Sequence, residues 1–385
     1  MHDLFPLTEE QREIESVARD FAAAEIVPYA RQWDKDAYFE PTLIKKLGDL
    51  GFLGMLTEEK YGGLGTDTVT YLVALEEIAA ADASVAVMMS VHNSLPTQML
   101  SSFGSEEQKE RFLRPMARGD LLGAFALSEP EAGSDAAALM TQAVRDGDSW
   151  VINGTKSWVT SGPYAGVIMV QARTDTPTDR KGARGIGAFI VTPDMPGLKV
   201  GKKEDKMGLR ASPTVQLLLD DLRVPAANLL GDPSLGFIYA MKSLNAGRLG
   251  IAAQAIGIAR AAFEAAVAYA GERKQFDRPI RKFQAIQFKL SDMATRIAAA
   301  RALLHAAARA KDANASSAQQ AASMAKLFAS ETAMWVTTEA VQVFGGYGYI
   351  KDYPVEKLFR DAKITEIYEG TSEIQRIVIA RELYA

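Results

Sequence analysis

The chain of 385 residues has no cysteine and only three histidines, His2, His92 and His305. The absence of cysteine excludes disulfides, thiolate metal sites and cysteine nucleophiles. The three imidazoles are widely separated and form no HExxH pattern, so we predict neither a histidine-built zinc site nor a histidine-driven hydrolase. Proton chemistry in this protein is therefore expected to depend on carboxylates.

Signals for nucleic acid, membranes and the common nucleotide folds are also missing. No G-x-G-x-x-G follows a strand to open a helix, and no G-x-x-x-x-G-K-[ST] is present, so the nicotinamide and P-loop fingerprints are absent. The formal net charge of -5 gives no broad attraction to nucleic acid or anionic lipid. Apolar runs are shorter than the ~20 residues of a membrane helix, and residues 1–6 lack signal-peptide features. We expect a cytoplasmic protein that acts on small molecules.

The apolar content of 48% and the chain length predict two or three packed units. The hydrophobic pattern divides the chain into residues 1–120, 121–233 and 234–385. Apolar residues in the first segment recur at helical spacing, with one long amphipathic stretch that runs from Thr8 to Trp33. The first predicted domain is therefore helical.

Helix starts and stops within this first domain have recognisable residues. Thr8 with Gln11, and Ser105 with Gln108, have the spacing of capping boxes. Pro96 predicts a kink or break in a helix.

The second segment has short runs rich in Val, Ile, Thr and Trp between turn residues, which predicts strands. Hairpin turns are predicted at residues 146–148, Asp-Gly-Asp, and 153–154, Asn-Gly. Because no helical patterns separate the strands, an antiparallel sandwich or barrel is favoured. The predicted strands are residues 122–127, 150–152, 167–172, 187–192 and 215–219.

The third segment returns to long Ala-rich helical patterns near residues 237–271, 284–311 and 318–344, which predict a helical bundle. Glycines in the run 345–348 end the last of these, because glycine adopts backbone angles that other residues avoid. Short helices are expected around residues 354–361 and from 372 to the end.

Two motifs in the β segment have residues suited to a polar, flat ligand. The loop 127–135, Leu-Ser-Glu-Pro-Glu-Ala-Gly-Ser-Asp, can present Ser128, Ser134 and backbone N–H groups, although Ser, Pro and Gly also make ordinary turns. Trp158 and Thr160 are two residues apart and share one face of a strand. This pair suits a flat cofactor with polar edges, while a core position for Trp158 is the alternative.

Two motifs in the helical segment suit phosphate binding and proton transfer. Arg273 and Phe276 follow a predicted long helix, where they can bind a pyrophosphate and flank a ring or form a plain basic helix end. Glu369 follows the apolar run 364–368 and precedes Gly370. Burial there would raise its pKa toward the range useful for a base, and a solvated loop glutamate is the alternative.

Five co-linear motifs together resemble the acyl-CoA dehydrogenase family, and the resemblance covers essentially the whole chain. They are LSEPEAGSD at 127–135, WVTSG at 158–162, RKQF at 273–276, QVFGGYG at 342–348 and IYEGTSEIQR at 367–376. The resemblance implies an α+β fold with a helical N-terminal domain, an antiparallel β-sandwich or barrel and a C-terminal four-helix bundle. It also implies FAD and a homotetramer, a dimer of dimers.

The resemblance assigns residues to the cofactor and the substrate. Glu369 would be the catalytic base. The residues that would bind the FAD of their own subunit are Phe125, Leu127, Ser128, Ser134, Trp158, Thr160, Thr371 and Glu373. Those that would reach the FAD of a neighbouring subunit are Arg273, Phe276, Gln284, Gln342, Gly345 and Gly346. Those that would contact acyl-CoA are Ser134, Asn245, Arg248, Tyr368 and Gly370.

The implied reaction is α,β-dehydrogenation of an acyl-CoA to a trans-2-enoyl-CoA. Glu369 would take the α-proton while the β-hydride passes to flavin N5, and an electron-transfer flavoprotein would accept the electrons. Some relatives place the base on the first long C-terminal helix, near Gly247 here, so the presence of Glu369 supports the later position. Asn245 stands where several relatives have Asp, which puts its contact with CoA in doubt.

Residues 91–95 and 208–212 are similar to the short-chain subgroup, so short chains are favoured, with branched or medium-chain substrates as alternatives. An acyl-CoA oxidase is a further alternative. Other classes left open are an enzyme like flavin monooxygenases and nitroalkane oxidases, and a non-enzymatic helical scaffold.

Overall fold

The computed structural model describes residues 6–176 and 178–384, and the first region is helical. His2 and most of the segment predicted to lack a signal peptide lie outside the described residues. The helices are α1 (Glu9–Glu25), α2 (Ala30–Asp36), α3 (Thr42–Asp49), α4 (Thr68–Ala81), α5 (Ala83–Ser94), α6 (Pro96–Phe103), α7 (Glu106–Gln108) and α8 (Arg114–Ala117).

The predicted helix signals are confirmed, with one difference. Thr8 and Gln11 form a reciprocal capping box, and so do Ser105 and Gln108. Helix α5 ends before Pro96, which is the first residue of α6. The amphipathic stretch that runs to Trp33 is two helices rather than one, because the chain turns between α1 and α2.

The middle region is one seven-stranded sheet of β1 (Leu122–Ala126), β2 (Gln142–Asp146), β3 (Ser149–Thr160), β4 (Ala165–Arg173), β5 (Ile186–Val191), β6 (Leu198–Lys203) and β7 (Thr214–Pro225). The strand order is β1-β4-β2-β3-β7-β6, with β5 paired to β4. Most pairs are antiparallel as expected, but β1 is parallel to β4, and β2 meets β4 in a short parallel pairing at Gln142 and Arg173. The long connection between β1 and β4, which contains β2 and β3, allows this crossover.

One of the two predicted hairpin turns is present. Gly147 and Asp148 connect β2 to β3, where Asp146 pairs with Ser149. The prediction at Asn153-Gly154 was wrong, since both residues lie inside β3 at an irregularity in its pairing with β7. Gly154 is required there because an added Cβ would lie 2.3 Å from Thr141 Oγ1. A glycine inside a strand often marks such a bulge.

The C-terminal region is helical apart from the short hairpin of β8 (Lys274–Gln275) and β9 (Arg278–Pro279). Its helices are α9 (Gly236–Glu272), α10 (Gln284–Asp312), α11 (Ala318–Phe344), α12 (Val355–Ile364) and α13 (Ser372–Leu383). By length and composition α9 could cross a membrane, but 67% of its most apolar window is buried inside the protein. It packs against α4, α10 and α11 as a core helix.

A buried network of charges joins the N-terminal region to the bundle. Glu76 and Glu77 on α4 face Arg260 on α9 and Arg301 on α10. Arg260 Nη1 donates to Glu77 Oε1 at 2.7 Å, and Arg301 Nε donates to Glu76 Oε2 at 3.1 Å. Buried charges of this kind need their partners, because a single unpaired ion is poorly stabilised in the interior.

We predict that Glu76→Ala destabilises the protein by about 3–5 kcal/mol, because it leaves a buried arginine without its carboxylate. Thermal unfolding measures the effect. The matched control is Asp220→Ala, which breaks the exposed pair of Asp220 with Lys199 and should change stability by less than about 1 kcal/mol. Equal unfolding temperatures for the two variants would contradict the prediction.

Candidate active site

Glu369 lies in a tight turn between α12 and α13. Its backbone has a φ of 52°, in the left-handed region, and Gly370 follows with a φ of 93°. A left-handed glutamate is uncommon and strained, and such strain is found mainly where the surroundings hold it. Thr371 then caps α13, since its hydroxyl accepts from the Ile374 N–H at 3.3 Å.

The Glu369 carboxylate is buried against helix α9. Both of its oxygens are buried and have no hydrogen-bond partner among the described residues. An added Cβ at Gly247 would lie 2.0 Å from Glu369 Oε2. The absence of a side chain at Gly247 therefore makes room for the carboxylate.

Burial raises the pKa of Glu369 to about 7, and the positive charges of Lys326 and Arg248 oppose this rise. A carboxylate with a pKa near neutrality is matched to proton abstraction at physiological pH. The solvated-loop alternative for Glu369 does not fit a carboxylate that is buried and unpaired.

Residues from α5, α9 and the turn that carries Glu369 lie near the carboxylate. The Tyr368 hydroxyl donates to Gln254 Oε1, and Gln254 Nε2 donates to the Ala83 carbonyl at 2.7 Å. One turn of α9 from Gly247, an added Cβ at Gly250 would lie 2.3 Å from Ser90 Oγ. Sequence reasoning missed Gln254 and Ser90, because nothing local marks them.

The predicted acyl-CoA contacts are brought together only in part. Arg248 is mostly buried and donates to Asn245 Oδ1 at 2.9 Å. Asn245 also lines a cavity of about 380 Å³ between α6, α9 and the region where α10 leads into α11. Tyr368 and Gly370 flank Glu369. Ser134 is exposed on its loop, and no described contact joins it to the other four residues.

The loop 127–135 is fixed against β3. Lys156 is fully buried and donates to the Leu127 carbonyl at 3.1 Å and to Glu129 Oε1 at 2.7 Å. The Ser128 carbonyl accepts from the Ser157 N–H at 2.8 Å. These bonds hold Ser128 next to the segment that carries Trp158. Glu129 and Lys156, which sequence reasoning did not single out, therefore position the motif.

Trp158 is not a core residue. Its side chain is 62% exposed, and its φ of 61° places it in the left-handed region at an irregularity in β3. Val159 packs in the buried core of the sheet, so Trp158 and Thr160 lie on the opposite side. Phe125, Leu127 and Ser128 are half-buried. An exposed flat ring beside half-buried polar and apolar groups fits a flat cofactor.

A second cavity, of about 520 Å³, is lined by Arg273, Gly345 and Gly346. The Arg273 guanidinium lies 5.3 Å from the centre of the Tyr347 ring. An added Cβ at either glycine would meet nothing within 4 Å. An open cavity with one arginine, two glycines and several aromatic rings fits a nucleotide, whose phosphates Arg273 could bind.

The remaining predicted cofactor residues lie near the ends of helices in the C-terminal region. Phe276 is at the tip of the β8–β9 hairpin with 87% of its side chain exposed. Gln342 and Gln284 are exposed at the end of α11 and the start of α10, and Thr371 and Glu373 lie at the start of α13. Within one chain, no described hydrogen bond or ring contact joins the residues near Arg273 and Phe276 to those near Trp158 and Thr160.

A buried, unpaired carboxylate at Glu369 and an exposed ring at Trp158 fit an enzyme that moves a proton beside a flat cofactor. The chain belongs to the acyl-CoA dehydrogenase family. The N-terminal domain of that family matches residues 8–120, the middle domain residues 124–222 and the C-terminal domain residues 235–384.

Relatives of known description cover nearly the whole chain. The short-chain specific acyl-CoA dehydrogenase, mitochondrial, of Bos taurus is 49% identical over 377 residues, which are 98% of this chain and 90% of that one. Butyryl-CoA dehydrogenase from Megasphaera elsdenii has a TM-score of 0.96 at 45% identity, covering 99% of this chain and 100% of that one.

A third match is a chain in a solved structure described as "Electron transferring flavoprotein of Acidaminococcus fermentans: Towards a mechanism of flavin-based electron bifurcation". It has a TM-score of 0.96 at 47% identity, covering 98% of this chain and 99% of that one.

We predict that Glu369→Gln is more stable than the wild type above pH 7 by up to about 3 kcal/mol. The pKa of Glu369 is about 7 in the folded protein, whereas its ordinary value is 4.5. The stability contributed by the protonated form is therefore complete below pH 4.5 and is lost as the pH rises to 7. The glutamine variant lacks this dependence. Thermal unfolding of both proteins at matched flavin occupancy measures the difference, and identical pH responses would contradict a buried carboxylate.

Proposed function

We propose that the protein catalyses FAD-dependent α,β-dehydrogenation of short-chain acyl-CoA to trans-2-enoyl-CoA, with Glu369 as the catalytic base. The observation that carries this proposal is the buried, unpaired Glu369 carboxylate with a pKa of about 7, in a chain of the acyl-CoA dehydrogenase family. Its close relatives are named for the same chemistry on short acyl-CoA thioesters.

Removal of the α-proton needs both a base and a donor to the thioester oxygen, because the α-carbon of a thioester is a weak acid. The Glu369 carboxylate supplies the base. Among the described hydrogen bonds none uses the Glu369 backbone N–H as a donor, so this group is available to the thioester oxygen. A preoriented N–H at that oxygen stabilises the charge that develops as the proton leaves.

In this proposal two sets of residues would contact FAD. Phe125, Leu127, Ser128, Trp158 and Thr160 would surround the ring system, with Thr371, Glu373 and Ser134 nearby. Bound FAD supplies the acceptor for the β-hydride. The cavity of Arg273, Gly345 and Gly346, with Phe276, Gln284 and Gln342, would take the nucleotide part of the FAD held mainly by a neighbouring subunit.

A short acyl chain is supported by the side chains that lie near Glu369. The contact of Tyr368 with Gln254 and the close approach of Gly250 to Ser90 lie beside Glu369 along α9 and would limit the room for an acyl chain there. A long chain would have to displace the hydrogen-bonded Gln254 side chain. Branched or medium chains remain the alternative, to be separated by the substrate panel below.

Two partners and a subunit assembly are part of the proposal. An electron-transfer flavoprotein would accept the electrons, supported by the similarity to a chain from a structure named for such a protein. A homotetramer would bury the exposed aromatics Phe276 and Tyr349 and complete the split FAD site. Fatty acid β-oxidation in the cytoplasm is the expected setting.

We predict that wild-type protein is yellow and is bleached anaerobically by acyl-CoA, most rapidly by short chains. Glu369→Gln should keep FAD and bind acyl-CoA but lose at least about 10³-fold in the rate of flavin reduction, because a carboxamide cannot accept the proton. Stopped-flow absorbance with a panel of straight and branched acyl-CoAs measures both.

The same assay separates the rival functions. Aerobic peroxide formation with butyryl-CoA would identify an oxidase. Bleaching by substrates without CoA would identify a monooxygenase-like or nitroalkane oxidase-like enzyme, and a colourless protein would indicate a scaffold. Retained reduction in Glu369→Gln would overturn the assigned base.

We predict that Gly247→Ala slows flavin reduction by about 10²-fold, because the new methyl group displaces the carboxylate from its position and small displacements of a reacting group have effects of this size. The matched control is Gly271→Ala on the same helix, where an added Cβ meets only Arg281 Nη1, at 3.7 Å. The control should react at the wild-type rate. Equal rates for both variants would contradict the placement of Glu369 against Gly247.

A further inference from the structure

Lys326 is a fully buried lysine on α11 whose ammonium group faces the Glu369 turn. Its Nζ donates to the Gly370 carbonyl at 2.7 Å. A buried ammonium is unfavourable unless it is paired or hydrogen-bonded. The contact with Gly370 therefore links a buried charge on α11 to the residue directly after Glu369.

The Gly370 carbonyl is held from two helices. Gln375 Nε2 on α13 also donates to it, at 2.9 Å, and lies 3.4 Å from the Glu369 carbonyl. Because Glu369 and Gly370 both have left-handed backbone angles, the turn depends on such outside contacts to keep its shape. Lys326 is the charged member of this pair of donors.

The charges that face Lys326 come from the neighbouring helices. They are Glu369, Glu366 and Glu373 around the turn and the start of α13, and Arg248 on α9. Burial lowers the pKa of Lys326 to about 8, while the carboxylates oppose this. The positive charge of Lys326 in turn favours the ionised form of Glu369.

We propose that Lys326 is a positioning residue for the base: by holding the Gly370 carbonyl it orients Glu369, and by its charge it keeps Glu369 in the carboxylate form that accepts the α-proton. This inference rests on the proposed role of Glu369. Lys326 acts through Glu369 and not on the substrate. Two separable contributions follow, one from its hydrogen bond and one from its charge.

Two variants separate these contributions in stopped-flow flavin reduction across pH. Lys326→Met removes the donor and the charge. The acid limb of its pH–rate profile, where the rate of flavin reduction rises as Glu369 ionises, should move to higher pH by about one unit. This shift makes the rate about tenfold slower below pH 7. The rate on the plateau at high pH should also fall. Lys326→Gln keeps a donor without the charge, so the limb should move equally while the plateau returns toward the wild-type rate. KM for acyl-CoA should stay near the wild-type value in both.

Lys206→Met is the control for the loss of a lysine that is partly buried and hydrogen-bonded to a backbone carbonyl. Lys206 lies in the β region, donates to the Ser212 carbonyl at 2.7 Å, and burial likewise lowers its pKa to about 8. Its replacement should lower the unfolding temperature without moving the acid limb. A shift of that limb in Lys206→Met equal to that in the Lys326 variants would overturn the inference.

A second readout needs no turnover. The infrared band of the protonated Glu369 carboxyl, assigned by its loss in Glu369→Gln, should persist to higher pH in Lys326→Met or, if that variant does not fold, in Lys326→Gln. An unmoved band together with a wild-type acid limb and plateau in the folded variants would overturn the inference. Failure of the proposed function is distinct, because it appears in the wild type and in Glu369→Gln whatever the Lys326 variants do.

Discussion

The burial of one carboxylate without a hydrogen-bond partner is the constraint on which the site depends. Burial makes the Glu369 charge unfavourable, and this raises its pKa toward neutrality. A solvated glutamate would be a far weaker base for a carbon acid. The protein therefore has to hold a group that would be more stable in water, and several features of the fold serve that purpose.

Helix α9 carries several of these features. Gly247 leaves room for the carboxylate, Arg248 brings a positive charge near it, and Gln254 binds Tyr368 from the adjoining turn. Further along the same helix, Arg260 joins the buried charges of α4. Since α9 packs against α4 of the N-terminal region and against α10 and α11 of the bundle, the position of Glu369 is determined by packing between regions that are distant in sequence.

Much of the fold could be predicted from the sequence because its signals are local. The capping pairs at Thr8 and Ser105 and the break at Pro96 need only neighbouring residues. The hairpin turn predicted at Asn153-Gly154 was wrong because the Asn-Gly dipeptide occurs both in turns and in strand bulges. Strands β2 and β6, with several exposed polar residues, lack the apolar runs that identified the other strands.

The candidate site was predictable as a set of motifs, but its environment was not. Glu369 and Trp158 stand in motifs that the family resemblance identifies. Lys326, Gln254 and the Glu129–Lys156 pair have no local mark, because each acts through a partner far away in the chain. Their roles depend on the three-dimensional contacts alone.

The most direct test of the central claim is exchange of the α-proton with solvent deuterium, followed by mass spectrometry of an acyl-CoA analogue with sulfur in place of its β-carbon, which cannot transfer a β-hydride. The wild type should exchange the α-hydrogens, with a rate that rises with pH through a pKa near 7, and Glu369→Gln should not. Undiminished exchange in Glu369→Gln would contradict the account.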